Sequence, residues 1–136
     1  MRLSALMAKS VVYVTYVGLC VLAAGVFGML NDQISYTVAP EYYTRFKFLQ
    51  FGLLDAAQPD RLRAAMVGWR ASWCMGALLG ALSGWIGVFY PTARQMAVRL
   101  TQGLFGTLAF ALLFTLAGLA YGYWKTRHGV DLSQYL

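Results

Sequence analysis

Residues 10–31 read SVVYVTYVGLCVLAAGVFGMLN, a run without one charged side chain. About 20 apolar residues, rising 1.5 Å each as a helix, cross roughly 30 Å of hydrocarbon. Two further stretches meet the same standard, Ala71 to Ala93 and Leu100 to Trp124, and they are equally free of charge. The three runs predict an all-α membrane protein with three transmembrane helices. It forms a single membrane domain over residues 1–136, with spans at about 10–31, 71–93 and 100–124 and an extramembrane loop at about 32–58.

Composition agrees with that reading. The 136 residues are 60% hydrophobic and 12% charged, less polar surface than a water-soluble domain of this length needs. Eleven Lys and Arg against five Asp and Glu give a net charge of +6, a balance that in a soluble chain points to nucleic acid. Here many bases flank the apolar runs. Arg2 and Lys9 precede the first, Arg61, Arg63 and Arg70 the second, Arg94 and Arg99 the third, and Lys125 and Arg127 follow it. That placement suits side chains reaching for lipid headgroups, so the lipid bilayer is the expected partner and nucleic acid is not. A cleavable signal has an apolar region of roughly 7 to 15 residues, and the longer run at 10–31 reads as a retained anchor. Cys20 and Cys74 each sit inside an apolar run and give no disulfide framework.

The first helix is expected from about Lys9 to Leu30, ended by the polar Asn31, Asp32 and Gln33. Ile34, Tyr36 and Val38 alternate with Ser35 and Thr37 in a short extended pattern that Pro40 stops. Pro40 and Glu41 then suit the start of an interfacial loop helix, with Tyr42, Phe46, Leu49 and Leu53 on one face and Gly52 near its end. Residues 45–48 also alternate strictly, which makes a strand the competing reading. Pro59 and Asp60 repeat the start signal, and Asp60 stands three residues before Arg63, acid first. The second helix is expected to continue to Tyr90, where Pro91 breaks it, with its first turns outside the hydrocarbon. Arg70 is expected to reach the headgroups or to meet Glu41 or Asp55. The third helix starts after Pro91 and ends in an aromatic girdle of Tyr121, Tyr123 and Trp124, and the short link makes helices 2 and 3 an antiparallel hairpin. A loosely ordered tail is expected from Lys125 to Leu136.

Gly76, Gly80 and Gly84 form a tandem GxxxG that Ser72 extends one turn earlier. Small residues at this spacing let another helix approach closely, where van der Waals contact drives association. Gly118 and Gly122 repeat the spacing on helix 3, and Cys20, Ala24 and Gly28 form a looser version on helix 1. These rows either pack the three helices of one chain or serve a homodimer seam. Within the loop, Asp32, Glu41, Tyr42, Tyr43, Arg45 and Lys47 are the candidates for docking a partner at the membrane surface. Catalysis finds little material. His128 is the one histidine, so neither a two-histidine metal site nor bis-histidine haem ligation forms within a chain, and no cofactor is expected. Asp131 and Ser133 beside it lack a scaffold to preorganise them. The spans contain no acid for a proton or ion pathway.

Asn31 to Ile34, Glu41 to Thr44, and Gly68, Trp69, Ala71, Ser72 and Trp73 leading into Gly76 and Gly80 together resemble a group of uncharacterised bacterial multi-pass integral membrane proteins. The resemblance covers roughly the first two thirds of the chain and implies a multi-pass protein of the bacterial inner membrane. It brings no activity, cofactor or catalytic residue. The residues themselves lead to a non-enzymatic subunit or scaffold that packs through glycine-rich helix faces, partnered by a membrane protein or by its own copies. The alternative is a small transport or channel component that works only as an oligomer. The bases at the start of helix 1 favour an N-terminus inside.

Overall fold

The computed structural model describes residues 2–127, and the chain divides into two compact units, Met1–Thr101 and Gln102–Leu136. Every regular element among the described residues is helical. The expected tail beyond Arg127, with His128, Asp131 and Ser133, lies outside the described residues.

In the first unit, α1 runs from Arg2 to Val38, 37 residues. It does not stop at Asn31–Gln33, and the alternation at 34–38 is helical. Polar side chains do not break the hydrogen-bond ladder, and these find partners alongside it: Gln33 Nε2 donates to the Arg61 carbonyl at 2.8 Å. Proline ends the helix, because Pro40 drives the residue before it out of the helical region. Ala39 accordingly has φ −141° and ψ 71°.

The loop segment is helical rather than extended. It consists of α2 (Pro40–Tyr42), a π-helical turn (Tyr43–Lys47) and α3 (Phe48–Gln50), closed by Gly52 at φ +66°. Behind the face of Tyr42, Phe46 and Leu49 it has a buried one that the helical spacing did not pick out. The widened turn brings residues five apart to the same side, so Tyr43 and Phe48, each 2% exposed, pack inward with Leu53. Tyr42, Phe46 and Leu49 are left outside. Ala64 and Val67 complete this cluster, with Tyr36, Phe51 and Met66 against it. The Tyr36 and Tyr43 rings meet edge to face at 5.6 Å, a preferred aromatic geometry.

Helix α4 spans Asp60–Gly87 and lies antiparallel along α1. It ends three residues before Tyr90. The N–H groups of Val88, Phe89 and Tyr90 turn to carbonyls three residues back, at 3.1–3.3 Å, a tightening that Pro91 then prevents from resuming as helix. Helix α5, Ala93–Arg127, opens on Thr92, whose Oγ1 accepts from the Gln95 N–H at 3.2 Å as an N-cap. Its first turns supply Met96 and Leu100 to the first unit, both buried.

Among the described residues two helices are long and apolar enough to cross a membrane: Leu3–Val38, of mean hydropathy 2.1, and Ala93–Lys125, of mean hydropathy 2.0. Helix α4 is not one of them: it ends at Gly87, so a stretch of spanning length within it takes in the charged Arg70, and its glycines and serines lower the mean further.

Candidate functional site

The seam between α1 and α4 is made of small residues meeting backbone to backbone. Gly68 and Gly28 face each other so closely that a Cβ on either would overlap the other's carbonyl. One turn on, Ser72 packs over Gly28. A Cβ on Gly76 would lie 2.7 Å from the Ala24 Cβ, and one on Gly80 would lie 2.8 Å from the Cys20 Cβ. The Gly84 position closes against the Tyr13 ring at 2.9 Å, while Gly25 of α1 receives the Trp69 ring. Thus Ser72, Gly76, Gly80 and Gly84 come together with the looser row Cys20, Ala24 and Gly28. Gly25, Gly68 and Trp69 belong to the same seam without having been picked from the motif. Gly68 was within reach of that reading, because it stands four residues before Ser72 and begins the same row.

Polar groups inside the seam are satisfied across it. The Tyr13 hydroxyl donates to the Ala81 carbonyl at 3.3 Å, and Ser83 Oγ donates to the Tyr16 hydroxyl at 3.3 Å. At one end Lys9 Nζ donates to the Val88 and Tyr90 carbonyls at 3.0 and 2.7 Å. A cation there satisfies carbonyls freed by the end of α4 and opposes its negative dipole end. Both cysteines are free thiols, Cys20 buried in the seam and Cys74 exposed.

The residues turned outward are the large apolar ones. On α4, Trp85 is 68% and Ile86 67% exposed, with Leu78 and Leu82 also outside; on α1 the exposed set includes Val14, Leu22 and Leu30. This pair therefore buries glycine and alanine with Cys20, Tyr16 and Val67, keeps Ser72 and Ser83 half-buried, and displays leucine, isoleucine and tryptophan. In the second unit, a Cβ built at Gly118 or Gly122 meets no heavy atom within 4 Å. Phe105, Phe110, Leu113 and Phe114 of that unit are exposed as well.

The docking candidates separate into two groups. Tyr43 is a core residue: burial, reinforced by the Asp32 carboxylate beside it, pushes its hydroxyl pKa up to about 12. Glu41, Tyr42 and Arg45 are exposed, Asp32 and Lys47 half-buried. The Tyr42 and Phe46 rings stack at 5.7 Å, and Lys47 Nζ stands 5.7 Å above Tyr42 and 5.6 Å above Phe51. Arg63 forms the expected ion pair with Asp60 and lies 4.3 Å over the Phe48 ring. That hydrogen bond, with a second from Tyr36 at 3.0 Å, holds the Asp60 carboxyl below the ordinary range. Arg70 meets neither Glu41 nor Asp55; its Nη1 donates to the Phe51 carbonyl at 2.7 Å.

Among the described residues no three His, Cys, Asp or Glu side chains stand together to hold a metal. A cavity of about 160 Å³ in the first unit is lined by Val11, Val12, Thr15, Tyr16, Leu19, Ala97 and Thr101, without a charged group. No protein-family model, curated protein or solved structure matches this chain. Its function is therefore argued from the geometry alone.

Proposed function

We propose that the chain is a multi-pass protein of the bacterial inner membrane, a non-enzymatic subunit or scaffold. In this reading α4 crosses beside α1, and α5 returns after the link at 88–92, giving three spans with an α4–α5 hairpin. The observation that carries it is the sidedness of the α1–α4 pair, small residues within and large apolar side chains outside. Water would invert that arrangement, since burying leucine and isoleucine is what drives helices together there. Lipid tails are as apolar as leucine, so helices associate instead by close van der Waals packing at small residues. Helix α4, despite its lower hydropathy, crosses because its glycines are covered by α1 and its outward side chains are the apolar ones. The α1–α4 pair is then a rigid module, and α5 offers its length to a further membrane helix, from another protein or from a second copy.

Affinity purification of the full chain from bacterial membranes in mild detergent, with mass spectrometry of the intact complex, tests the subunit reading. A stoichiometric membrane partner or a second copy is expected, and a lone monomer overturns it. Reporter fusions at Gln58 and Leu136 test the topology. Three spans with the N-terminus inside put both reporters outside. Cytoplasmic activity at both reverses the orientation, whereas opposite sides for the two sink the count of three.

A further inference from the structure

The segment at residues 40–50 has two apolar faces. One is packed inward through Tyr43 and Phe48, as a π-helical turn requires. The other, Tyr42, Phe46 and Leu49, is 50–64% exposed and is continued by Leu54 at 64%. Bases border this outer face. Arg45 is exposed within it, and Lys47 folds over the Tyr42 and Phe51 rings. Arg70 lies beside the end of the segment, bonded to the Phe51 carbonyl, whereas Arg61 serves α1, standing 5.6 Å over the Tyr36 ring and donating to Gln33 Oε1 and Thr37 Oγ1. Among the described residues none of Arg45, Lys47, Arg61 and Arg70 has a carboxylate within ion-pairing distance. Asp60 is taken by Arg63, Asp55 accepts the Ala57 N–H at 3.0 Å, and Asp32 acts on Lys47 at longer range. Glu41 is the one acid on the segment itself.

We infer that the outer face of this segment is a docking surface for anionic lipid. Tyr42, Phe46 and Leu49 enter the boundary between headgroups and acyl chains, and Arg45 and Lys47, backed by Arg70, hold the lipid phosphates. Amphipathic interfacial helices bind in this way, through apolar depth on one side and basic side chains at headgroup level. Two features favour lipid over a protein partner. The face needs only depth and a sign of charge, because among the described residues its bases carry none of the fixed acid pairings of a protein interface, and Lys47 lies over rings. It also lies in the same unit as the α1 and α4 side chains that expose leucine and isoleucine.

This inference rests on the membrane reading above, and the test separates the two. The full chain, with Cys20→Ala and Cys74→Ala removing its own thiols, carries Phe46→Cys labelled with a fluorophore. It is placed in vesicles of phosphatidylcholine with phosphatidylglycerol, the nitroxide quencher carried on one lipid or the other. Quenching by phosphatidylglycerol should exceed that by phosphatidylcholine at least about fivefold, the factor that a single base contributes near an anionic surface. Arg45→Gln with Lys47→Gln should bring the ratio close to one. Equal quenching by the two lipids, or a ratio indifferent to the double substitution, overturns the inference. So does the absence of quenching from either lipid, which leaves the face to water or to a protein. A second label at Leu112→Cys on α5 reports on the membrane reading: deep quenching there with none at residue 46 sinks only the docking surface, and none at either position sinks both.

Discussion

Gly76→Ala is the smallest change that tests the α1–α4 seam, adding one methyl group against a wall that is mostly backbone. The new Cβ would meet the Cys20 carbonyl oxygen first and would lie 2.7 Å from the Ala24 Cβ. Neither can rotate away, so restoring an ordinary separation of about 3.5 Å spreads the helices there by roughly 1 Å. A gap of that size forfeits roughly a quarter to a half of each atom pair's ~0.1–0.2 kcal/mol. Over the roughly 50 pairs that even one buried leucine makes, the loss is about 2–3 kcal/mol, within the usual cost of overpacking. Cys20 is the reporter, since its thiol is buried in this seam. In a Cys74→Ser background in mild detergent, maleimide reaches Cys20 only when the helices part. Its labelling rate should rise roughly 30- to 150-fold, at tenfold per 1.4 kcal/mol. Gly118→Ala, whose new Cβ meets nothing within 4 Å, should leave it unchanged. A Gly76→Ala rate within twofold of the parent would refute the idea that close backbone contact holds the pair.

Lys9→Met removes the cation from the Val88 and Tyr90 carbonyls; it should cost about 1–2 kcal/mol and speed protease cleavage at the link at 88–92. Gly52→Ala places a side chain at φ +66°, and a loss of about 1 kcal/mol in thermal stability in detergent is expected. The Tyr43 hydroxyl has its pKa raised by burial to about 12 from an ordinary 10.0, so the fold favours the neutral form. Its contribution is complete below pH 10 and drains away as pH rises from about 10 to 12. Unfolding followed across that range should show the loss, and Tyr43→Phe should flatten that part of the profile. Asp60, lowered by Arg63 and then by Tyr36, works in the opposite direction: its contribution is present above the ordinary carboxyl pKa and is lost as pH falls below it. Asp60→Asn should therefore remove a stability loss on the acid side, measurable in the same titration.

Much of the helical layout was legible because it depends on local chemistry. Pro40 and Pro59 marked helix starts, Gly52 marked an end, and Asp60 found Arg63 one turn away. The continuation of α1 past Asn31 was not legible, because whether a polar triplet ends a helix depends on whether partners such as the Arg61 carbonyl stand beside it. The inward face of the loop helix was not legible for a related reason. A count at 3.6 residues per turn selects Tyr42 and Phe46, and nothing local announces the wider turn that puts Tyr43 and Phe48 inside. That Lys9 would take up the Val88 and Tyr90 carbonyls past the end of α4 was not legible either, because the partners stand 79 and 81 residues apart in sequence.

The amino-acid sequence by itself determined where apolar length is sufficient in the first and last helices, and which residues are small at a spacing of four. Those properties belong to each segment alone, since hydropathy and helical period are sums over neighbours in the chain. Only the tertiary structure decided which row meets which. Gly68, Gly76, Gly80 and Gly84 close on Gly28, Ala24, Cys20 and Tyr13, whereas a Cβ at Gly118, in a row of the same spacing, has nothing within 4 Å. A glycine row states that a backbone can be approached. Whether one is approached depends on the shape and polarity of a surface brought from elsewhere in the chain.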